Sequence, residues 1–540
     1  ERYLDAGYPP CRIEPPTPPF RKRQPADNAA TAGAAAASDD SRPDEVVLTI
    51  VVTEGPFLRV DRIEPIAPDA SFRDAIAALL AVHVGQPWRR ADHAVIAATV
   101  REFWQERGFY DASVKVDAKT SEATGSVTLV VTSEPGGKWT IGEVTIDTDS
   151  LSEGFVRSII PLRAGQEQEF SLSREREAYR QLLRTGLVDR VTFERLADPE
   201  RRTVDYHVHV REVRSVIIRP HIGWGSYEGP RAWLQLAETN MFGAAREISL
   251  TGGISLRSSW GELKYTDPWT LGGSFPFSLS LFYRKRDEPD FGRQDFGGRL
   301  LFSHSFTPEL DASLFYEFRD TQAFDITDPA STSAETARLG SLGLRLRWAN
   351  AEPLIVPRHG MRHSLQIEHY NQGLGATLDF TKFRLDSAVY LPLDQEQRVV
   401  LALGYLMEFF LEHSDTGIGI PIQERVFNGG ATSVRCFGEQ GLRAWDFPDS
   451  TRGGQFRQVV SVELRFPLVW ELGLDGAVFV DAGNLAPQLD SAFSHFRVGI
   501  GVGLRYMTPI GPARLDVAWN TYPRPGEEQW VFHFWIGFPF

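Results

Sequence analysis

The chain has 540 residues, of which 24% are charged and 42% hydrophobic, and its formal net charge is −14. This acidic balance argues against a nucleic-acid-binding protein, which needs a basic face, and no apolar run approaches the roughly 18 residues of a transmembrane helix. Two cysteines, Cys11 and Cys436, imply neither a disulfide framework nor a zinc site. A membrane β-barrel is not excluded, because its strands alternate apolar and polar residues and are not detected by hydropathy averages.

The N-terminal segment is interpreted as part of a truncated domain. The chain begins at Glu1 without a methionine or a signal peptide, so the missing signal carries no information about export. Residues 15–43 are rich in proline, alanine and serine, and they have too little apolar surface to offset the entropy of ordering. We expect residues 1–56 to be the remnant of a repeat, with a disordered insertion at 15–43.

Residues 1–213 contain an internal repeat. A helix end, a glycine and a strand follow one another at Gly7, Gly108 and Gly186, and glycine favours the left-handed conformation that ends a helix. Each of the two complete copies has the order β-α-α-β-β over about 75–80 residues. The pattern predicts α+β domains at 57–136 and 137–213.

Residues 214–540 predict an all-β domain whose strands have one apolar face. In Leu342–Trp348 the leucines alternate with arginines, and in Val498–Tyr506 the apolar residues alternate mostly with glycines. A period of two places these sets on opposite faces of a strand. A soluble β-sandwich would use the apolar face as its core, but the charged opposite faces and the aromatic strand ends favour a membrane barrel with a wet lumen. At roughly 20 residues per strand and loop, this length predicts about 16 antiparallel strands.

Short motifs follow one another in a fixed order along the chain. They are Asn240–Gly243, Tyr265–Trp269, Glu424–Gly430, Val434–Phe437, Phe479–Asn484, Thr508–Pro512 and an alternating aromatic strand that ends at Phe540. Together they resemble the BamA/TamA family of outer-membrane insertases, in which periplasmic POTRA repeats precede a 16-stranded transmembrane barrel. The resemblance covers essentially the whole chain, and it identifies Val434, Arg435, Cys436 and Phe437 with the conserved tetrad of the family's sixth extracellular loop.

The resemblance implies an assembly factor for outer-membrane proteins. Such a protein would receive client β-strands through POTRA domains in the periplasm and insert them at a lateral seam of its barrel in the bacterial outer membrane. Its partners would be membrane lipids, unfolded outer-membrane protein clients, and periplasmic or inner-membrane accessory proteins. The alternative is a translocation pore for a secreted partner, as in two-partner secretion. The total number of POTRA domains, and with it a BamA-like or a TamA-like role, stays open.

Enzymatic and metal chemistry are not expected. The sequence has no Gly-x-Ser-x-Gly motif, phosphate-binding loop or dinucleotide fingerprint. His207 and His209 alternate on one strand, and His359 and His363 lie in a polar turn region, without a third ligand at a recognisable spacing. We therefore expect no catalytic residues, no cofactor, no metal and no nucleic-acid partner.

Arg435 is the central residue of the predicted site. The resemblance implies that it lies inside the barrel, where a guanidinium needs partners because an unpaired buried charge costs several kcal/mol. Strand alternation turns Glu463 and Asp481 inward on two late strands, and the resemblance implies that Arg435 binds them. The alternative is an arginine in a solvated loop. Cys436 departs from the family pattern, which usually has glycine or another small or polar residue there.

Two strand edges complete the predicted functional surfaces. The first barrel strand, near Val216–Trp224, must close against the last, near Trp530–Phe540, and both contain residues that weaken pairing. These seam residues are Pro220, Gly223, Gly225, Gly537 and Pro539. The residues predicted to face lipid, as a terminal β-signal, are Phe532, Phe534, Ile536, Phe538 and Phe540. The exposed sheet edges of the POTRA domains would either pair with extended clients or only pack against neighbouring domains.

Overall fold

The computed structural model describes residues 57–121, 123–165, 168–327, 335–413, 420–445 and 453–537, together with the backbone pairing of Arg12–Ile13 (β1) with Val52–Thr53 (β2). The chain divides into two compact units, an N-terminal α/β unit and a second unit that contains a barrel. Most of the predicted remnant at 1–56, including Gly7 and the insertion at 15–43, lies outside the described residues. No helix in the described ranges is long and apolar enough to cross a membrane.

The first complete repeat is a three-stranded sheet covered by two helices. Its elements are β3 (Arg59–Ile66), α1 (Ala70–Leu80), α2 (Asp92–Gln105), β4 (Ser113–Ser121) and β5 (Ser126–Glu134), and the sheet order is β3-β5-β4. Strand β5 lies in the centre, parallel to β3 and antiparallel to β4. The fully buried Trp104 of α2 packs against Phe72 of α1 and against Phe109. The turn after α2 contains Gly108 at φ 93°, the left-handed conformation that the sequence predicted.

The second repeat has the same element order and is joined to the first by a polar and aromatic junction. It comprises β6 (Thr140–Thr148), α3 (Glu153–Ile159), α4 (Leu172–Arg184), β7 (Val188–Asp198) and β8 (Thr203–Glu212), with the sheet order β6-β8-β7. At the junction, Trp139 Nε1 donates to Asp111 Oδ1 at 3.0 Å, and Tyr110 packs against Trp139 and Phe170. The α+β prediction for this part of the chain is confirmed.

A closed barrel of sixteen antiparallel strands, β9 to β24, forms the second part of the described chain. The strands are β9 (Val216–Gly225), β10 (Gly229–Met241), β11 (Arg246–Ser255), β12 (Ser258–Asp267), β13 (Phe277–Asp287), β14 (Gly292–Ser305), β15 (Leu310–Phe324), β16 (Thr336–Ala349), β17 (Gly360–Tyr370), β18 (Phe380–Pro392), β19 (Val400–Glu412), β20 (Phe456–Val469), β21 (Leu474–Ala486), β22 (Arg497–Thr508), β23 (Gly511–Asn520) and β24 (Trp530–Ile536). The predicted strand number is confirmed.

The two faces of the barrel strands follow the alternation in the sequence. On β16, Leu342, Leu344 and Leu346 are exposed on the outer face. Between them, Arg345 Nε donates to Gln366 and Arg347 Nε to Asp311 on the neighbouring strands. Because the apolar face points away from the lumen, the barrel has the inside-out polarity of a membrane protein.

Pairing with the neighbouring strand sets the strand ends in the first repeat. Strand β4 continues to Ser121 because its pairing with β5 extends to Ser121↔Ser126. Strand β3 begins at Arg59, where its own pairing with β5 begins. Hydrogen bonds to a neighbouring strand, which local alternation does not reveal, set these ends.

Candidate functional site

Residues 420–445, between β19 and β20, fold back into the barrel and are called here the inserted loop. They contribute to an apolar cluster in which Val434 and Cys436 pack with Val459, Phe479 and Ala518 of the barrel wall. Gly429 and Gly430 have φ of 99° and 116°, and a Cβ on Gly429 would lie 2.9 Å from the Gly438 carbonyl oxygen. The double glycine therefore permits the tight turn that brings the tetrad against the wall.

Arg435 lies in this cluster with only 3% of its surface exposed. Its Nε donates to Asp481 Oδ2 at 2.6 Å and its Nη2 to Asp481 Oδ1 at 2.7 Å, a bidentate pair. Its Nη1 donates to Glu463 Oε2, and Nη2 also donates to Ser461 Oγ at 3.0 Å. The guanidinium carbon lies 3.4 Å from the centre of the Phe479 ring. All three donor nitrogens of the side chain are thus engaged.

The ion pair belongs to a larger lumenal network. Asp516 on β23 lies 4.0 Å from Arg435 and accepts from Arg514, and Arg505 contacts both Asp516 (2.6 Å) and Glu463 (3.0 Å). Arg465 adds a further bond to Glu463 at 2.8 Å. Four arginines therefore share three buried carboxylates, so each charge has a partner of opposite sign.

Cys436 is accommodated by a glycine of the facing strand. The side chain is buried, and a Cβ added to Gly499 of β22 would lie 2.2 Å from its Sγ. A Cβ on Gly501 would collide with the Phe479 ring in the same way. The inward glycines of β22 therefore make room for the loop tip and for the ring beneath Arg435.

A second buried ion pair holds the beginning of the inserted loop. Glu424 accepts two hydrogen bonds from Arg319 of β15, at 2.7 and 2.8 Å, and both side chains are buried. Arg319 also lies 3.4 Å from Asp295 of β14. Since β14 and β15 lie on the other side of the barrel from β20 and β21 in strand order, the loop is attached to two separate parts of the wall.

The seam between β24 and β9 is paired over a short length. In the described chain, register partners across it are Trp535↔Gly225 and Ile536↔Trp224, followed by a hydrogen bond from the Ser226 amide to the Phe534 carbonyl at 2.9 Å. On its other edge, β9 pairs with β10 along its whole length, from Gly225 to Val216. The seam is therefore the least paired boundary of the described barrel.

The predicted seam residues take different positions. Gly223 and Gly537 allow close approach, since a Cβ on Gly223 would lie 2.6 Å from the Ile536 carbonyl and a Cβ on Gly537 would lie 2.7 Å from the Ile222 carbonyl. Gly225 is itself in a register pair, so these glycines lie in or beside the paired part of the seam. Pro220 pairs with Leu234 of β10 and has no described partner in β24. Pro539 lies outside the described residues.

The terminal strand β24 has an exposed aromatic face and a buried face. Phe532 and Phe534 are exposed on the outer face, and Ile536 is partly exposed. Phe538 and Phe540 lie outside the described residues. On the inner face, His533 is buried, and its Nε2 lies 2.8 Å from the Arg435 carbonyl oxygen. The last strand is therefore hydrogen-bonded to the residue at the centre of the ion network.

Comparison with known proteins gives the family. The sequence model described as the Omp85 superfamily domain matches residues 240–540, which is more than half of the chain. The chain belongs to the Omp85 superfamily. BamA, named an outer membrane protein assembly factor, is 23% identical in Neorickettsia risticii over 82% of this chain, and 20% identical in Nitratidesulfovibrio vulgaris over 88% of it. The chain spans 61% of the length of each of these relatives.

A solved Omp85-type structure shares the fold. The crystal structure of BamA from Haemophilus ducreyi lacking POTRA domains 1–3 superimposes with a TM-score of 0.77 at 18% sequence identity. The match covers 88% of this chain and 99% of that one. The combination of β-α-α-β-β repeats and a 16-stranded barrel is thus the fold of a BamA-like member of the superfamily.

Several residues of the site were not anticipated from the sequence. Asp516 follows the same alternation that identified Glu463 and Asp481, because its neighbours Leu515 and Val517 belong to the other face, so a parity argument could have found it. The Glu424–Arg319 pair and the contact of His533 with Arg435 join residues that are far apart in the sequence. No local pattern signals such contacts.

Proposed function

We propose that this protein inserts outer-membrane proteins into the bacterial outer membrane, with its two described repeats acting as POTRA domains in the periplasm. Membership of the Omp85 superfamily and similarity to proteins named outer membrane protein assembly factor BamA support this proposal. Its partners are membrane lipids, unfolded outer-membrane protein clients and accessory proteins that bind the POTRA domains. The proposal includes no enzymatic step.

The short seam is the observation that carries the proposal. A strand edge with unpaired N–H and C=O groups is a template for another β-strand. Among the described residues, β24 pairs with β9 only at Gly225 and Trp224, so the β9 edge from Val216 to Gly223 has no described register partner across the seam. A client strand that pairs with this edge would enter the membrane beside the barrel wall without leaving its backbone groups unsatisfied in lipid.

The ion network next to the seam gives the inserted loop its proposed role as an anchor. Arg435 is held by carboxylates of β20 and β21, and its carbonyl oxygen accepts a hydrogen bond from His533 Nε2 of β24. Movement of β24 away from β9 would therefore change contacts of the loop tip. In this proposal, the loop fixes the late strands while the terminal strand opens.

The POTRA sheets supply a second candidate surface. Strands β3 and β4 are the outer strands of the first sheet, and β6 and β7 are the outer strands of the second. An extended client segment would add to such an edge through main-chain hydrogen bonds that depend little on its sequence. We propose delivery of clients along these edges to the barrel seam.

A disulfide across the seam tests the proposal. Trp224 and Ile536 are directly opposite register partners, and opposite residues of antiparallel strands have Cα atoms about 4.5–5.5 Å apart, within the range of a disulfide. The double variant Trp224→Cys and Ile536→Cys, in a Cys11→Ser background, is reconstituted in liposomes and supplied with an unfolded outer-membrane protein. We expect client insertion to fall to background when the disulfide forms and to recover on reduction.

A matched control places the same crosslink between two adjacent strands that do not form the seam. Val502 and Val517 are register partners of β22 and β23 on the outer face, and the disulfide between cysteines at these positions should leave client insertion unchanged. Full insertion by the seam-locked protein would overturn the proposal. If the locked protein instead conducted a secreted polypeptide through its lumen, the alternative of a translocation pore would replace it.

A further inference from the structure

A cluster of potential metal ligands lies on the outer face of the barrel, apart from the ion network and the seam. His369, Asp379 and His413 each offer one ligand atom, and these atoms lie within 4.8 Å of one another. They lie at the ends of three neighbouring strands. His369 is in β17, Asp379 directly precedes β18, and His413 directly follows β19. Their alternation places them opposite the buried Tyr370, Phe380 and Phe410 of the inner face.

The backbone ladder fixes the positions of the three ligands. His369 is the register partner of Thr381, and the His413 amide donates to the Asp379 carbonyl at 3.0 Å, which continues the pairing of β18 with β19. The Thr381 hydroxyl lies 2.9 Å from His369 Nδ1 and 2.7 Å from His413 Nε2. One nitrogen of each imidazole ring is therefore held against the same hydroxyl, which brings the two rings together on a rigid part of the wall.

Asp379 has the environment of an oriented ligand with one free oxygen. Its Oδ2 accepts from Asn371 Nδ2 at 2.9 Å, and Asn371 is itself fixed by a hydrogen bond from the Gly373 amide at 2.7 Å. Its Oδ1 is buried and has no hydrogen-bond partner among the described residues. A buried carboxylate oxygen without a partner is costly, and a cation removes that cost.

We propose that His369, Asp379 and His413 form a binding site for a divalent transition-metal ion of the zinc class. Two imidazoles and one carboxylate suit Zn²⁺, Ni²⁺ or Cu²⁺, whereas Ca²⁺ and Mg²⁺ prefer sites made of oxygen alone. Asn371 donates to the other carboxylate oxygen of Asp379 and so orients the carboxylate. The ligands of a tetrahedral zinc lie about 3.3 Å apart, so the exposed His369 and His413 side chains rotate slightly on binding.

Such a site would connect the ends of three strands, the last of which, β19, precedes the inserted loop in the chain. It was not expected from the sequence, because its ligands lie far apart along the chain and meet only when β17, β18 and β19 pair. Its existence does not depend on the proposed function, since metal binding is measured without a client protein.

The test is a calorimetric titration of the full-length, untagged protein in detergent micelles after removal of metals with EDTA. We expect one Zn²⁺ ion per chain, bound saturably and without competition from excess Ca²⁺. The double variant His369→Ala and His413→Ala, and separately Asp379→Asn, should lose this binding. Asn371→Ala, which removes the donor to Asp379 together with the acceptor of the Gly373 amide, should weaken it about tenfold.

His495→Ala is the matched control, because His495 is another exposed histidine next to a strand at the same end of the barrel. It should bind Zn²⁺ like the unmodified protein. Unchanged heat-dependent mobility on a gel verifies that each variant keeps the barrel. The proposal is wrong if the unmodified protein shows no saturable binding of one Zn²⁺, or if the double histidine variant binds as tightly as the control.

Discussion

The Arg435 guanidinium contacts carboxylates from two strands at once, and its geometry explains why arginine is required. The planar fork makes two parallel bonds to Asp481 and a third bond to Glu463. A lysine ammonium carries the same charge but cannot form a bidentate pair with the first carboxylate while it reaches the second. The ring of Phe479 beneath the guanidinium adds a contact that a lysine forms less well.

Replacement of Arg435 with alanine should destabilise the barrel strongly. The change leaves Glu463 and Asp481 in the lumen without their shared cation, and loss of one partner of a buried pair typically costs about 3–5 kcal/mol. The free energy of unfolding, measured by denaturant titration in lipid vesicles, should fall by about this amount. The value for Arg435→Lys should lie between those of the unmodified protein and Arg435→Ala. Client insertion should also fall. Charge reversal at Asp481 should be similarly harmful.

Arg347→Ala is the control for this prediction. Arg347 also pairs with an aspartate on a neighbouring strand, but its side chain is 60% exposed, and exposed pairs contribute about 0–1 kcal/mol. If the two alanine variants reduce the free energy of unfolding equally, the network does not act as an anchor.

Cys436 and Gly499 show how one substitution in a motif is matched by a distant residue. The family usually has glycine or another small or polar residue at the position of Cys436. Here the thiol occupies the space that a Cβ on Gly499 would fill. The loop tip therefore keeps its contact with β22 because the larger side chain faces a residue that has none.

At the scale of elements, the inserted loop acts as a brace between two parts of the barrel wall. Glu424 binds Arg319 on β15, and eleven residues later Arg435 binds β20 and β21. Loss of either attachment alone leaves the other in place. The two attachments together limit how far the loop can leave the lumen.

The Glu424–Arg319 pair should therefore show strong energetic coupling. A double-mutant cycle with Glu424→Gln and Arg319→Gln should give a coupling energy of about 1–3 kcal/mol in the free energy of unfolding, because the pair is buried and bidentate. The single variants should also make the inserted loop more accessible to added protease in vesicles.

The exposed pair of Asp311 and Arg347 provides the comparison. A double-mutant cycle with Asp311→Asn and Arg347→Gln should give a coupling energy below about 1 kcal/mol. Additive effects of Glu424→Gln and Arg319→Gln would show that the first attachment contributes nothing to the loop.

At the scale of the whole molecule, the outer surface of the barrel indicates that lipid, and not water, surrounds it. Leucine, isoleucine and aromatic side chains are exposed on strand after strand, as on β13, β16, β22 and β24. A continuous apolar band of this extent is incompatible with a soluble monomer. Away from the seam, the ladder of sixteen strands satisfies the backbone hydrogen bonds within lipid.

In cell fractionation, the protein should accordingly partition with outer membranes and require detergent for extraction. On a gel run without boiling it should migrate as a compact species, and boiling should shift it to the mobility of the unfolded chain. Recovery as a monomer in buffer without detergent would contradict a membrane barrel.

The sequence alone determined the fold class, because both signals that specify it are local. Alternation with period two gave the strands and their faces, and glycines at helix ends, such as Gly108 and Gly186, marked the repeats. The inward direction of Glu463 and Asp481 followed from the same alternation. Strand number followed from length, since each strand and turn uses a similar number of residues.

Only the tertiary structure decided which inward residues meet. The alternation of a strand says which face a side chain is on, but strand register and the path of the inserted loop bring Arg319 to Glu424, Cys436 to Gly499 and His533 to Arg435. The convergence of His369, Asp379 and His413 depends in the same way on the pairing of three strands. These contacts join residues with no shared local pattern, and their partners are fixed by closure of the barrel as a whole.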